Sequence, residues 1–323
     1  MLRPSQIFIG AALSLAAASS QAAESCALKQ VASVDAKVTP GGQLLIAARI
    51  GDMPVWWQVD TGGALSVIGQ AAARQLGLSI EQGGTHIYGV NGKDITAHTR
   101  LPELKLGNLA SRNEVFPVTS YGGDGTDERP IGLFGADYLQ NYDVEIDMDH
   151  GKFNLFSTDH CKGKVVYWAS QYSAAPFHLS DQRMIELDAT LDGQTMIADI
   201  DTGASVTFIS KGAARRYFGL DENSQGLAEA GKSRGLDGSV DIVYKYPFKT
   251  LVLAGLTIHN PIVLIMPFAV IKDYASAEHI KPNASSDMLV GMDVISKLHS
   301  YIAYREDMFY YTVASPPKTA AVQ

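Results

Sequence analysis

The sequence predicts an all-β, bilobal fold in which two β-rich lobes with short helices are related by a pseudo-twofold axis. First, the triplet Asp-Thr-Gly occurs at 60–62 and again at 201–203, each time directly after an apolar run. Second, the segments around the two triplets match over most of the chain, which indicates an internal repeat. Third, both copies consist of short segments with strand-like alternation, separated by glycine-rich turn signals.

The repeat extends well beyond the two triplets. Residues 60–68 align with residues 201–209, and small, hydroxyl and apolar positions largely agree. Further matched segments are 71–76 with 213–218, 89–92 with 235–238, 104–106 with 251–253, 115–118 with 262–265, and 132–137 with 288–293. The first of these pairs predicts two short helices, each ending at a glycine, Gly77 or Gly219, suited to a left-handed cap. The second carries Asn-Gly and Asp-Gly, which are strong hairpin signals.

These matches divide the chain into segments. In order, they are a signal peptide at 1–22, a first copy at 37–158, an interlobe linker at 159–174, a second copy at 175–314 and a disordered tail at 315–323. Below, the terms first copy and second copy refer to these ranges. Each copy is long enough to bury a core of its own.

The N-terminal segment has the pattern of a secretory signal peptide. One charge, Arg3, precedes an apolar core at 7–18, and Ser20-Gln21-Ala22 offers small residues for cleavage. The core is too short to span a bilayer, so we expect no stable membrane span after cleavage. The predicted location is extracytoplasmic: periplasmic or, alternatively, secreted. An uncleaved membrane anchor is the alternative interpretation of this segment.

Composition excludes some partners and leaves the cysteines open. The 323 residues are 46% hydrophobic with a net charge of −8, so no basic surface is available for nucleic acid. Cys26 and Cys161 are the two cysteines of the sequence. In an oxidising compartment they would form a disulfide, and two free buried thiols are the alternative.

Two further segments could suggest ligands. His150, His160 and Cys161 are spaced unlike any standard zinc pattern, so we predict no metal and no cofactor. The glycine-rich segment 121–128 lacks the helix N-terminus of a phosphate loop and the ligand spacing of a calcium loop. We predict that it forms a mobile acidic loop near the cleft between the lobes.

Two Asp-Thr-Gly loops that face each other would form a chemical site. If Asp60 and Asp201 lie close together, both cannot ionise readily, so the pair holds one proton over acid to neutral pH. The ionised carboxylate would activate a water for attack on a carbonyl, and the protonated one would polarise the carbonyl oxygen and protonate the leaving amine. The glycines allow close backbone approach, and the threonine hydroxyls are placed to bond across to the opposite loop.

At these residues the chain resembles the aspartic proteases of the retropepsin-like branch, in a two-lobed, single-chain bacterial form. The resemblance includes Gly63 and Ala204 after the triplets, the hydroxyls of Ser66 and Thr207, and the apolar-apolar-Gly segments at 133–135 and 289–291. It implies a bilobal aspartic-protease fold.

The resemblance also implies roles for individual residues. Asp60 and Asp201 would be the catalytic dyad, and the residues that support it would be Thr61, Gly62, Thr202 and Gly203. A hairpin containing Tyr88 and Gly89 would be a flap that closes over substrate.

The chain departs from its best-known relatives in two ways. Viral enzymes carry one triplet per subunit and dimerise, whereas here both triplets lie in one chain, so we expect a monomer. Pepsins place Ser or Thr where this chain has Gly63 and Ala204. Without that hydroxyl the ionised form loses a hydrogen bond, so we predict an activity optimum at mildly acid pH, above about pH 3.

The sequence therefore predicts an aspartic endopeptidase that binds an extended peptide or protein substrate in the interlobe cleft. One alternative is a non-catalytic periplasmic peptide- or protein-binding module that keeps the fold. Another is an enzyme that acts on a peptide-like bond in something other than a protein.

Overall fold

The computed structural model describes residues 26–83, 87–88, 94–125, 129–234, 240–266 and 286–314. Strands dominate both halves of this part of the chain, which confirms the predicted all-β, bilobal fold. The predicted signal peptide, Gly89 of the predicted flap and the predicted tail lie outside the described residues.

The elements of the first half, in chain order, are the strands β1 (Gln30–Val38), β2 (Leu44–Ile50), β3 (Met53–Val59), β4 (Val67–Gly69), β5 (Ile80–Glu81), β6 (Ile87–Tyr88), β7 (Asp94–Ile95), β8 (His98–Leu106), β9 (Leu109–Thr119), β10 (Gly132–Phe134), β11 (Asp143–Asp147) and β12 (Lys152–Phe156), with the helices α1 (Gln70–Gln75) and α2 (Ala136–Leu139).

Those of the second half are the strands β13 (Ser173–Pro176), β14 (His178–Leu179), β15 (Ile185–Leu191), β16 (Gln194–Ile200), β17 (Phe208–Ser210), β18 (Ala228–Arg234), β19 (Val240–Pro247), β20 (Thr250–Leu253), β21 (Leu256–His259), β22 (Ile262–Met266), β23 (Met288–Val290), β24 (Leu298–Ala303) and β25 (Met308–Val313), with the helices α3 (Lys211–Phe218) and α4 (Met292–Ile295).

Corresponding strands of the two copies pair in corresponding registers. β2 pairs with β3 and also with β8, where Ile50 lies opposite Leu104. In the second copy β15 pairs with β16 and with β20, where Leu191 lies opposite Leu251. Leu104 and Leu251 occupy matched positions of the sequence repeat, and Ile50 and Leu191 each lie ten residues before the aspartate of their triplet. The repeat is therefore a structural one, down to the strand register.

An inserted strand fixes each Asp-Thr-Gly loop. β10 pairs parallel with β3 and antiparallel with β4, and β23 does the same with β16 and β17. Each loop leaves the end of a buried strand, β3 or β16, and returns on the other side of the inserted strand. The backbone N–H of Asp60 donates to the Phe134 carbonyl at 3.0 Å, and that of Asp201 donates to the Val290 carbonyl at 3.0 Å.

The strand before the first loop is anchored by its apolar face. Trp57 is fully buried, with its ring centroid 5.4 Å from that of Phe116 and 6.3 Å from that of Phe134. Trp56 points to the other face, as strand alternation requires, where the Lys37 ammonium lies 4.0 Å from its ring centroid. Burial of three aromatic rings behind the loop holds the end of β3 in place.

The last strands of both copies belong to one 13-stranded sheet, which runs in the order β13-β25-β24-β11-β12-β1-β2-β3-β10-β4-β9-β8-β5. β11 of the first copy pairs antiparallel with β24 of the second. Asp143 and Glu145 of β11 are fully buried there, and their carboxylates bond to His160 and His299 respectively. His299 belongs to β24 and His160 to the segment between the copies, so both buried acids are paired, and the contact between β11 and β24 ties the copies together.

The segment between the copies is fastened by a disulfide between Cys26 and Cys161. The bond attaches the N-terminal end of the described chain to the predicted linker. A disulfide of this kind persists in an oxidising, extracytoplasmic compartment. Within the described ranges, no helix is both long enough and apolar enough to cross a membrane.

Candidate active site

The structure brings Asp60 and Asp201 together. Each follows the last residue of a buried strand, and both carboxyl groups lie at Gly203, where an added Cβ would be within 3.0 Å of an Oδ1 atom of each acid. Asp201 is 9% exposed and Asp60 is half-buried. The two carboxyl groups therefore share one partly closed site between the copies, although they are far apart in the sequence.

The threonines of the triplets interlock. The Thr61 N–H donates to Thr202 Oγ1 at 3.0 Å, and the Thr202 N–H donates to Thr61 Oγ1 at 3.0 Å. Each hydroxyl in turn donates to a carbonyl of the opposite copy, Thr61 to Ile200 at 2.6 Å and Thr202 to Val59 at 3.0 Å. Both threonines are almost fully buried, so these bonds are made in a dry environment and fix the two loops against each other.

The glycines of the triplets leave room for the carboxyl groups of the opposite loop. A Cβ atom added at Gly62 would lie 2.5 Å from Asp201 Cγ, and one added at Gly203 would lie 2.6 Å from Asp60 Cγ. No side chain is tolerated at such distances without moving the acid. Gly63 is similarly restricted, since a Cβ there would lie 2.7 Å from Asp60 Oδ2. The glycines are thus required by close approach across the site.

Burial and mutual repulsion determine the protonation of the pair. The pKa of Asp60 is raised well above its ordinary value, first by burial and then by the charge of Asp201. Burial also raises the pKa of Asp201, but backbone N–H groups, that of Gly203 foremost, oppose the shift. The Gly203 N–H donates to Asp201 Oδ1 at 2.7 Å. The pair therefore retains a proton to higher pH than an isolated aspartate does, and its surroundings favour Asp60 as the carrier.

The hydroxyls that follow each triplet anchor the loops from behind. Ser66 Oγ donates to Asp137 Oδ1 at 2.7 Å and accepts from the Gly135 N–H at 2.8 Å. In the second copy, Thr207 Oγ1 donates to Asp293 Oδ1 at 2.7 Å and accepts from the Gly291 N–H at 3.1 Å.

Sequence reasoning did not assign roles to Asp137 and Asp293. The signal was present, because the two acids occupy matched positions of the repeat, each two residues after the glycine of an apolar-apolar-Gly segment. Both lie in the first turn of a short helix, α2 or α4.

A polar network beside the dyad was also not predicted. Gln58 Nε2 donates to the Gly203 carbonyl of the opposite loop at 3.1 Å. Its Oε1 accepts from Gln43 Nε2 at 2.9 Å and from the Tyr121 hydroxyl. Tyr121 lies close enough to Asp60 for that charge to raise the pKa of the phenol, after burial as the main cause. The start of the glycine-rich segment therefore borders the site, while 126–128 lie outside the described residues.

The predicted flap is described only in part. Tyr88 lies on β6, whose backbone pairs with β7, and the intervening Gly89 lies outside the described residues. The residues that could have suggested a metal are engaged elsewhere: His160 bonds to Asp143, and Cys161 forms the disulfide.

One other group could be considered for a cation. Asp147, Asp149 and His299 bring potential ligand atoms within 4.8 Å of one another. However, the Asp147 carboxylate already accepts from the backbone N–H of His150 at 3.1 Å and contacts its Nδ1 at 2.7 Å. These contacts are those of an acid that closes the turn between β11 and β12.

A bilobal β fold that pairs two Asp-Thr-Gly loops through crossed threonine bonds defines an aspartic protease-like protein. Residues 46–138 and 187–294 match the family described as aspartyl protease, and together these residues make up more than half of the chain. The chain therefore belongs to the aspartyl protease family. A comparison with curated proteins gives no match.

Proposed function

We propose that the chain is an aspartic endopeptidase that hydrolyses peptide bonds with a water activated by the Asp60/Asp201 dyad. Membership of the aspartyl protease family supports a protease-type function. The observation that carries the proposal is the convergence of the two carboxyl groups at Gly203, together with the raised pKa of both. Both features are what a pair that works as acid and base in one step needs.

The site suggests how the two acids divide the work. Asp201, whose charge is stabilised by the Gly203 N–H, is the base that removes a proton from the attacking water. Asp60, which the surroundings favour as the proton carrier, polarises the scissile carbonyl and then passes its proton toward the leaving amine. The crossed threonine bonds keep both carboxyl groups oriented during the cycle, so little reorganisation accompanies the reaction.

We further propose that an extended peptide or protein segment lies across the site, in the cleft between the copies. The hairpin at Tyr88 and Gly89 would act as a flap over it. The protein would act as a monomer, since one chain supplies both triplets. The predicted signal peptide and the disulfide support an extracytoplasmic, periplasmic location.

An endopeptidase assay tests the proposal. The chain lacking residues 1–22, with its disulfide intact, is incubated with a broad library of unstructured peptides between about pH 3 and 7. The variants Asp60→Asn and Asp201→Asn are assayed beside it, and Asp188→Asn, an exposed acid of β15, is the matched control. Cleavage by the wild type and the control, lost in both dyad variants, supports the proposal. Equal inertness of all four proteins would favour a binding module, and loss in only one dyad variant would contradict a shared proton.

A further inference from the structure

The strand that leads to Asp201 carries a second buried acid. Asp199 lies on β16, two residues before Asp201, which directly follows that strand, and the two groups are close enough for their charges to repel each other. Asp199 is 1% exposed. The corresponding residue of the first copy is Gln58, a neutral amide that donates to the opposite loop. The two copies therefore differ at the position two residues before the aspartate that each contributes to the pair.

The contacts of Asp199 favour its neutral form. Its Oδ2 accepts from the Ser286 hydroxyl, and its Oδ1 is buried without a hydrogen-bond partner. Across the described ranges, no lysine, arginine or histidine pairs with Asp199 directly. A buried carboxylate with one hydrogen bond and no cation is strongly disfavoured, so the group retains its proton until the pH is well above the ordinary range of aspartate.

The charged groups around Asp199 also favour its neutral form. On the neighbouring strand β15, Glu186 lies directly opposite Asp199 in the register. Glu186 is itself held by His178 Nε2 of β14 at 2.9 Å, so that histidine is used by another acid. On the side of the loop, Asp201 repels a charge on Asp199.

The segment before β23 adds one more acid, which has partners of its own. Asp287, next to Ser286, is bonded to Arg216 of α3 at 3.1 Å and to the Tyr217 hydroxyl at 2.8 Å. Its arginine is therefore not available to Asp199. Burial, Glu186 and Asp201 together raise the pKa of Asp199 to about 7.

We propose that Asp199 is a positioning residue of the candidate site, a third acid whose ionisation toward neutral pH keeps the shared proton on the Asp60/Asp201 pair and so extends activity to higher pH. The proposal rests on the proposed function. Its physical basis is reciprocal repulsion: because a charge on Asp201 raises the pKa of Asp199, a charge on Asp199 raises the pKa of the pair by the same amount. At acid pH Asp199 is neutral and the pair is unaffected.

The pH dependence of kcat/KM tests this inference. In Asp199→Asn, we expect the alkaline limb to move to lower pH by about one unit, because the pair is no longer repelled by a third charge. The acid limb stays in place, because protonated aspartate and asparagine are both neutral. The control Asp188→Asn, which removes an exposed acid from β15, leaves both limbs unmoved. A uniform loss of kcat/KM with unmoved limbs would indicate a purely structural role and overturn the inference.

A second variant covers the case in which Asp199→Asn does not fold. Ser286→Ala removes the one hydrogen bond that favours the charged form of Asp199, so Asp199 should stay neutral to higher pH. The alkaline limb is then expected to shift in the same direction as in Asp199→Asn, but by less. A shift to higher pH would contradict the inference.

A third measurement separates the inference from the proposed function. Carbon-13 NMR of labelled aspartate side chains follows the titration of the pair without any need for activity. The upper midpoint of the pair should fall in Asp199→Asn, and the midpoint of Asp199 should fall in Asp201→Asn. Unchanged midpoints would overturn the role of Asp199 even in an active enzyme. Conversely, shifted midpoints in a protein without peptidase activity would uphold the coupling and refute the proposed function.

Discussion

The two copies hold their acids with the same parts but surround them differently. Each supplies a threonine that crosses to the other loop, a glycine beneath the opposite acid and a hydroxyl that anchors the loop from behind. At the position two residues before the dyad acid, however, the first copy has Gln58 and the second has Asp199. The comparison indicates that orientation of the dyad is symmetric, whereas its electrostatic surroundings are not.

The largest expected effect tests the symmetric part. Gly62→Ala and Gly203→Ala each introduce a Cβ that overlaps the acid of the opposite copy. We expect either variant to displace that acid by about 1 Å and to lower kcat/KM by about 100-fold or more. Gly193→Ala is the control, because an added Cβ meets no atom there although φ is positive. It should lower the free energy of unfolding and leave kcat/KM unchanged. A Gly62→Ala enzyme with near wild-type activity would contradict the close approach.

A second prediction concerns the threonines. Thr61→Ala and Thr202→Ala each leave a buried N–H and a buried carbonyl of the opposite copy without their partner. We expect each variant to lower the free energy of unfolding by about 2 to 4 kcal/mol, measured by urea denaturation. The two losses should agree within about 1 kcal/mol, since the two hydroxyls make equivalent hydrogen bonds in equivalent buried settings. Thr61→Ser and Thr202→Ser keep both hydrogen bonds and serve as controls. Clearly unequal losses of free energy of unfolding in the two alanine variants would contradict the symmetry of the threonine contacts.

A third prediction sharpens the difference between the copies. The pKa of Asp199 is raised from 3.8 to about 7, so the folded state binds its proton more tightly than the unfolded state does. This proton binding adds its full amount to the free energy of unfolding below about pH 4, and the added amount is lost as the pH rises through 7. Asparagine does not titrate. In urea denaturation, the free energy of unfolding of wild type should therefore fall relative to that of Asp199→Asn as the pH is raised from 4 to 7.5, by about 2 to 4 kcal/mol. If the two stability curves run parallel across this range, Asp199 titrates normally and the asymmetry is not electrostatic.

The smallest expected effect lies on the first copy. Gln58→Leu removes the donor to the Gly203 carbonyl and the acceptor for Tyr121. We expect a rise in KM of about 3- to 10-fold, corresponding to about one neutral hydrogen bond, with a smaller change in kcat. Tyr121→Phe keeps the bond to Gly203 and should have a weaker effect. An equal effect of the two variants would show that the contact across the copies is unimportant.

The fold and the proximity of Asp60 and Asp201 could be predicted from the sequence because both follow from the repeat. The alignment of residues 60–68 with 201–209 places strand, loop and hydroxyl in equivalent positions, and the observed strand registers follow it. Gln58 and Asp199 were missed because they differ between the copies, so no repeat signal marks them. Their roles depend on what packs against each side chain, such as Ser286 and the Gly203 carbonyl, and those contacts join residues distant in sequence.

The central claim is that one acid from each copy forms a single acid–base unit, and binding of a reaction analogue tests it most directly. A peptide with a secondary alcohol in place of the scissile amide occupies the position of the attacking water and would bond to both acids. Calorimetry at about pH 5 should show tight binding to wild type and losses of at least about 100-fold in Asp60→Asn and Asp201→Asn alike. Wild-type affinity in either variant would contradict the shared site.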